Sequence, residues 1–326
     1  MTVASHRRSA YIAWVAVCVL WGTTYLAIRI ALETIPPGLL GGLRYTAAGF
    51  LLAAILAVRG ELSVARSRWF GLGLIGLLTI CVGNGGVIWA EQWVPSGIAA
   101  VTVATVPFWM IALDALGPAG GRLSFGLVSG LFVGFGGVIL LVWPELRGND
   151  ANGHQFLIGI VVLQLGCLGW GLGSALSRRS AGSEPVLSAA AVQMVFGGIF
   201  MLAAGTAHGE WAHLAFTKRT VIAELYLTLV GSIVGYTAYT YALGHLPTAT
   251  VALYAYANPI IAVILGTIWL GEPFGPRVLA ASIMVLMGSA LVQWQSVAGT
   301  KTVAPTTARV TGRSSATTAS SPQSAR

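Results

Sequence analysis

Residues 93–107 read WVPSGIAAVTVATVP, and residues 245–259 read HLPTATVALYAYANP. Pro95 and Pro107 are twelve positions apart, as are Pro247 and Pro259, and the two stretches superpose at an offset of 152. Each is a long apolar run with a proline inside it. In lipid or a packed bundle such a run stays helical, because neighbouring groups satisfy the backbone that proline frees. Further upstream, Trp21-Gly22 aligns with Trp170-Gly171, Arg29 with Arg178 and Gly49 with Gly198, at an offset of 149. A three-residue insertion reconciles the two offsets. The chain therefore reads as a duplicated unit, with halves at roughly 10–145 and 156–297.

Composition says where such a duplicated unit resides. Of 326 residues, 56% are hydrophobic and 9% are charged, and mean hydropathy is +0.80. A soluble surface needs roughly 25% charged residues, so this surface faces lipid. Only helices and closed barrels span a bilayer. The long unbroken runs, without the short alternating segments of a barrel, select helices. The expected fold is an all-α polytopic membrane protein.

Windows of about 20 apolar residues give ten segments: 10–33, 38–58, 69–90, 95–116, 123–143, 156–176, 185–206, 220–243, 247–270 and 275–295. Pro36-Pro37, Pro95, Pro144, Pro185 and Pro247 fall at the breaks. The first segment is too long for a secretory h-region and lacks a nearby cleavage site, so it reads as a retained helix. Residues 298–326 turn to Ser, Thr and Ala with scattered Arg, and read as a disordered cytoplasmic tail. Five helices per half is an odd number, so the second half must enter upside down. The expectation is ten transmembrane helices as two inverted five-helix repeats, a plan that places a substrate site between the repeats near mid-membrane.

The formal net charge of +8 sits in loops and tail. With both termini cytoplasmic, twelve cations lie inside (Arg7, Arg8, Arg59, Arg66, Arg68, Arg122, Arg178, Arg179, Lys301, Arg309, Arg313, Arg326) and four outside (Arg147, Lys218, Arg219, Arg277). That bias is the positive-inside pattern. No basic stripe interleaves with stacking aromatics, which argues against nucleic acid. Cys18, Cys81 and Cys167 lie in separate apolar segments and read as small buried hydrophobes.

Intramembrane polar groups are candidate site residues. The fourth segment presents Ile98, Thr102, Thr105 and Trp109 on one face around Pro107; the ninth presents Thr250, Tyr254 and Asn258 beside Pro259. The same break in both halves points to the binding site, and its plainer reading is a pair of structural kinks. Asn84, Tyr236 and Tyr239 join the expected substrate wall, as does Tyr25 on the face shared by Trp14, Cys18, Trp21 and Arg29. Trp14 and Trp21 themselves read as packing or interfacial rings, and Gln164 and Gln193 as buried amides. At the outer end, Arg29, Glu33, Arg44 and Glu91 form an expected charge cluster, either an external gate or a static network. Gly126, Gly130 and Gly134 form a small-residue ladder suited to close helix packing.

Three stretches resemble EamA-type members of the drug/metabolite transporter superfamily. They are WGTTYLAIRIALETIPPGLLGGLRYTAAG (21–49), AEQWVPSGIAAVTVATVPFW (90–109) and LPTATVALYAYANPIIAVILGTIWLGEPFG (246–275). The resemblance implies a ten-helix inner-membrane carrier, usually an exporter of amino acids, related metabolites or drugs; it does not fix the cargo.

The expectation is an alternating-access, non-ATP carrier in a bacterial cytoplasmic membrane, exporting small amphipathic molecules. The partners are cargo and lipid, with a proton as an available coupling ion, and the chain is a monomer or a homodimer. No catalytic or metal-site motif and no cofactor signature is present. Carboxylates (Glu33, Glu91, Asp114, Glu224) lie near helix ends, which leaves proton coupling to peripheral groups and keeps a facilitator open. The alternatives are facilitative exchange of a sugar or sugar phosphate, which calls for cations at mid-depth, and a membrane enzyme acting on lipid-linked substrates.

Overall fold

A computed structural model describes residues 3–115, 125–147, 151–179, 184–246, 250–251 and 253–301. Among these the chain is helical, with no strand. Among the described residues nine helices are long and apolar enough to cross a membrane. They are α1 (Val3–Ala31), α2 (Pro37–Val58), α3 (Arg66–Ala90), α4 (Ser96–Leu113), α5 (Phe125–Arg147), α6 (Ala151–Arg179), α7 (Val186–Ala207), α8 (Lys218–His245) and α10 (Pro276–Lys301). Between the last two lies α9 (Tyr254–Leu270), apolar but only 17 residues long. The expected break at Pro247 and the tail from residue 302 lie outside the described residues.

Several boundaries differ from the sequence reading: α1 begins at Val3 rather than at residue 10, and α6 at Ala151 rather than at 156. Pro144 lies inside α5, which continues to Arg147; proline deletes one amide donor, and near a helix end that loss does not stop the last turn. α10 runs to Lys301, a few residues into the expected tail.

Three helices are irregular. α4 is broken by a turn at Ala104-Thr105 just ahead of Pro107: its first piece is Ser96–Val103, and the helix that resumes at Val106 continues past Leu113 to Ala115. α3 and α8 each contain a π-helical stretch, Leu77–Asn84 and Tyr226–Val234, at matching places in the two halves. Such stretches widen the helix, leave carbonyls poorly bonded and recur at functional sites. Side chains complete the bonding here. Asn84 Nδ2 donates to the Thr79 carbonyl at 3.1 Å, and Ser232 Oγ to that of Leu227 at 3.0 Å.

Packing follows the duplication. α2 lies along α7 and α5 along α10; α1 packs on α8 and α9, while α6 packs on α3 and α4, and α4 meets α9. Glycines permit the closest approaches. A Cβ on Gly49 would sit 2.7 Å from the Val195 nitrogen, and one on Gly198 would sit 2.4 Å from that of Thr46. The aligned glycines thus occupy reciprocal places at one crossing. Gly288 of α10 approaches Gly130 and Gly134 of α5 so closely that a Cβ would lie 2.6 Å from the Gly130 oxygen. The glycine ladder of α5 is therefore used within the chain.

At one end of the bundle, Arg68 in the first turn of α3 clasps Glu184 before α7, through Nη2 at 2.8 Å and Nε at 3.2 Å. The hydrogen bonds from Arg68 hold the Glu184 carboxyl below its ordinary value of 4.5. A depressed folded value adds stability above the unfolded value, and that stability is lost as pH falls through the folded one. The thermal midpoint of the purified protein should therefore fall on acidification below about pH 4.5, and Glu184→Gln should flatten this part of the pH profile. An unchanged profile in Glu184→Gln would assign the acid loss to other carboxylates.

Candidate functional site

Two clusters of predicted residues form between the halves. The first is aromatic and joins α1, α8 and α9. Trp21 meets Tyr254 edge-on at 4.9 Å between centroids and Tyr239 at 5.2 Å; Tyr239 meets Tyr254 at 5.7 Å and Tyr236 at 6.2 Å. Trp21 fits because α8 has Gly235 opposite it, where a Cβ would lie 2.6 Å from the indole nitrogen. That nitrogen donates to the Gly231 carbonyl, 3.1 Å away in the π-helical stretch. Asn258 is buried at the edge of the cluster. With its amide nitrogen facing the acceptors, it donates to the carbonyls of Cys18 at 3.1 Å and Tyr254 at 3.0 Å, tying α9 to α1.

The second cluster is polar and joins α4 to α6. Trp109 Nε1 donates to Gln164 Oε1 at 2.8 Å, and Thr105 Oγ lies 3.3 Å from the same oxygen. The Gln164 nitrogen is buried and has no partner among the described residues. Thr102 is fully buried; its hydroxyl returns to the Ile98 carbonyl at 2.8 Å. The turn before Pro107 is sealed by protein: Thr105 Oγ donates to the Thr102 carbonyl at 2.7 Å, and Ser289 of α10 donates to that of Ala104 at 2.6 Å. Asn84 is bonded within its own helix rather than to this cluster. Tyr25 is buried in the apolar core that also holds Ile98, Leu163 and Ala262.

The four charged residues expected together are arranged differently. Arg29 donates to the backbone carbonyl of Glu91, not to its carboxylate. Glu33 pairs with Arg219 of α8 at 3.1 Å, not with Arg29 one turn away, because the chain leaves the helix after Ala31. Arg44 turns away from Glu33: its Nε donates to Ser232 at 3.0 Å and its guanidinium lies 4.6 Å from the centroid of the Tyr45 ring. Glu91 is fully buried, and among the described residues neither of its oxygens has a hydrogen-bond partner. The same holds for the carboxylate oxygens of Glu224, a residue expected near a helix end. Arg44 acts electrostatically on both carboxylates.

Two further carboxylates, Glu210 and Glu272, lie in the connections that follow second-half helices. Pro36 and Pro95 begin α2 and α4 and offer no side-chain cap, which leaves amide donors unsatisfied. Glu210, after α7, accepts from Gly38 N at 3.2 Å and Leu39 N at 2.9 Å. Glu272, after α9, accepts from Ser96 N at 2.7 Å, Ser96 Oγ at 2.9 Å and Gly97 N at 3.1 Å. Each second-half carboxylate thus caps a first-half helix at the end bearing Glu33 and Glu91, where helix dipole and charge reinforce each other. A cleft of about 600 Å³ opens at that end, bordered by Glu33, Trp89, Gln92, His208 and Glu210.

Comparison with known proteins places the family and the fold. A model described as the EamA-like transporter family matches the chain twice, over residues 8–143 and 157–294. The chain is 36% identical over 260 residues to YedA of Escherichia coli K12, described as an uncharacterized inner membrane transporter, covering 77% of this chain and 80% of that one. It is 26% identical over 293 residues to a probable amino-acid metabolite efflux pump of Salmonella typhimurium LT2, covering 86% and 93%. A solved crystal structure with 20% identity shares the fold at a TM-score of 0.59, over 89% of this chain and 98% of that one. Family and relatives indicate a multi-pass membrane transporter rather than an enzyme. The chain belongs to the EamA-like transporter family.

Proposed function

We propose that the chain is a secondary, alternating-access carrier with ten membrane-spanning helices in two inverted repeats, both termini cytoplasmic, exporting small amphipathic metabolites such as amino acids or drugs from a bacterial cell. The observation that carries this reading is the pair of clusters between the halves, one aromatic (Trp21, Tyr236, Tyr239, Tyr254) and one polar (Thr105, Trp109, Gln164). Aromatic faces hold an apolar side chain or an ammonium group. The unpartnered Gln164 nitrogen is a donor for a carboxylate or carbonyl of the cargo. An amino acid or an amphipathic amine supplies these groups. The name of the Salmonella relative supports the same class.

The inverted arrangement has independent support. The helix pairings map onto themselves when the halves are exchanged, the π-helical stretches match, and the family model matches twice. With α9, the nine long helices make ten. The irregular stretches of α3 and α8 are the natural hinges, and the Glu210 and Glu272 caps, with the Glu33–Arg219 pair, form the gate that must part at the outer end. The arginines serve this framework: Arg29 and Arg44 are bonded to the Glu91 carbonyl and to Ser232, which leaves neither for a sugar phosphate.

Counterflow in proteoliposomes loaded with pooled amino acids, nucleosides or aromatic drugs tests the reading. Exchange of label with the amino-acid or aromatic pool is expected. Exchange that persists without a pH gradient identifies a facilitator, and no exchange with any pool would remove the carrier assignment.

A further inference from the structure

We propose that a groove on the flank of α1, α8 and α9 is a binding site for an anionic phospholipid. The groove has a volume of about 730 Å³, within the roughly 300–1,000 Å³ of ligand clefts. Its walls are apolar, with Leu26, Ala27 and Ile30 from α1, Ile222 and Ala223 from α8, and Leu265 from α9. Two cations, Lys218 and Arg219, stand at one end.

The position of these cations is the informative feature. They occupy the first turn of α8, where the helix dipole favours negative charge and disfavours lysine and arginine. The helix start does not need them, because Thr217 and Thr220 cap it reciprocally. Arg219 gives one contact to Glu33, at 3.1 Å. Lys218 is exposed with no partner among the described residues. The rim therefore keeps a net positive charge that both the unpaired lysine and the helix dipole direct at an anion. Trp269, 66% exposed, borders the same groove from the last turn of α9. An indole beside two cations is the usual arrangement at the level of lipid headgroups.

Depth selects a lipid over a soluble anion. From Lys218 to Tyr226 the groove descends about 12 Å at 1.5 Å per residue, less than half of a hydrocarbon core of roughly 30 Å. That depth takes the upper part of an acyl chain from a single leaflet. At the lower end Tyr226 meets Thr23 at 2.5 Å, with the Thr23 hydroxyl also bonded to the Leu20 carbonyl at 2.8 Å. This contact closes the groove toward the bundle interior. A free phosphate would use the cations and leave the apolar walls unexplained.

Native mass spectrometry of the detergent-solubilised full chain, with equimolar phosphatidylglycerol and phosphatidylcholine, tests the proposal. The wild type should retain phosphatidylglycerol on the order of tenfold or more over phosphatidylcholine, and Lys218→Gln and Arg219→Gln should each lower that ratio about fivefold. Ala223→Leu, which fills the groove, should lose both lipids. Ala223 is buried, so Ile222→Trp, at a position 56% exposed, provides a second block that leaves the core intact. Equal retention of the two lipids by the wild type, or a preference that survives both the charge and the blocking variants, would overturn the site. Transport lost in Ile222→Trp with lipid retention unchanged would also overturn it, and would make the groove a path for cargo instead.

Discussion

Arg44→Ala should lower the yield of folded, membrane-inserted protein more than tenfold, and Arg44→Ala with Glu224→Gln should recover much of it. Arg44 is buried, holds Ser232 of α8 at 3.0 Å and stacks on Tyr45. It is the cation acting on Glu224, whose carboxylate oxygens have no hydrogen-bond partner. Breaking a buried ion pair costs roughly 3–5 kcal/mol. Among the described residues no ion pair joins Arg44 to Glu224, so the loss here is a fraction of that, arising from a carboxylate left buried without its nearby cation. Neutralising that partner removes most of the penalty, so the double variant should be better than the single one. Arg44→Lys should fall between, since an ammonium lacks the planar group that bonds Ser232 and stacks on Tyr45 at once. Size-exclusion profiles of solubilised membranes report the yield. Counterflow on the rescued double variant then separates two roles. If Arg44 only neutralises charge, transport returns with the protein. If its bond to Ser232 governs movement of the π-helical stretch, folded protein returns and transport does not. Single-variant protein that transports at the wild-type rate would dismiss the gating role.

How far the sequence disclosed the site depends on the distance over which each group acts. Apolar length and proline position are local properties, and they placed most helix ends within a few residues; α1 begins at Val3 rather than at residue 10, α10 runs on to Lys301, and α5 continues through Pro144. The duplicated proline motif marked α4 and α9, which carry Thr105, Trp109, Tyr254 and Asn258. What stayed hidden depends on a partner far along the chain. Glu91 follows the last residue of α3 and reads as peripheral, yet the packed helices cover it completely. Glu210 and Glu272 look like ordinary loop carboxylates until the helix starts at Pro36 and Pro95 arrive beside them. Trp21 reads as a packing ring, and its central place comes from Gly235 on α8. A π-helical stretch has no composition of its own, and the side chains that complete its bonding, such as Asn84, were legible only as polar residues in an apolar run.

Trp21→Ala should raise the half-saturating concentration for amino-acid or aromatic cargo by an order of magnitude or more, where Trp14→Ala leaves it within about twofold. The two indoles are on one helix and make the same kind of bond, Trp14 Nε1 to the Val251 carbonyl at 3.3 Å and Trp21 Nε1 to that of Gly231 at 3.1 Å. They differ in company. Trp21 contacts Tyr239 and Tyr254, and all three belong to the proposed cargo wall, whereas Trp14 packs in a small cluster near Ala10 and Leu246. An aromatic contact contributes about 0.5–1.5 kcal/mol beyond the area it buries, and a desolvated cation over an indole about 2 kcal/mol. Together these amount to a factor of ten to several hundred in affinity. Trp21→Phe separates the ring from its donor. It keeps a face for the cargo but leaves the Gly231 carbonyl without its indole partner. Affinity should then stay near the wild-type value while the maximal rate falls, because the freed carbonyl belongs to the stretch expected to bend. Equal losses in Trp14→Ala and Trp21→Ala would show that both rings serve packing alone, and the cargo site would then have to be sought at Gln164 and the α4–α6 cluster.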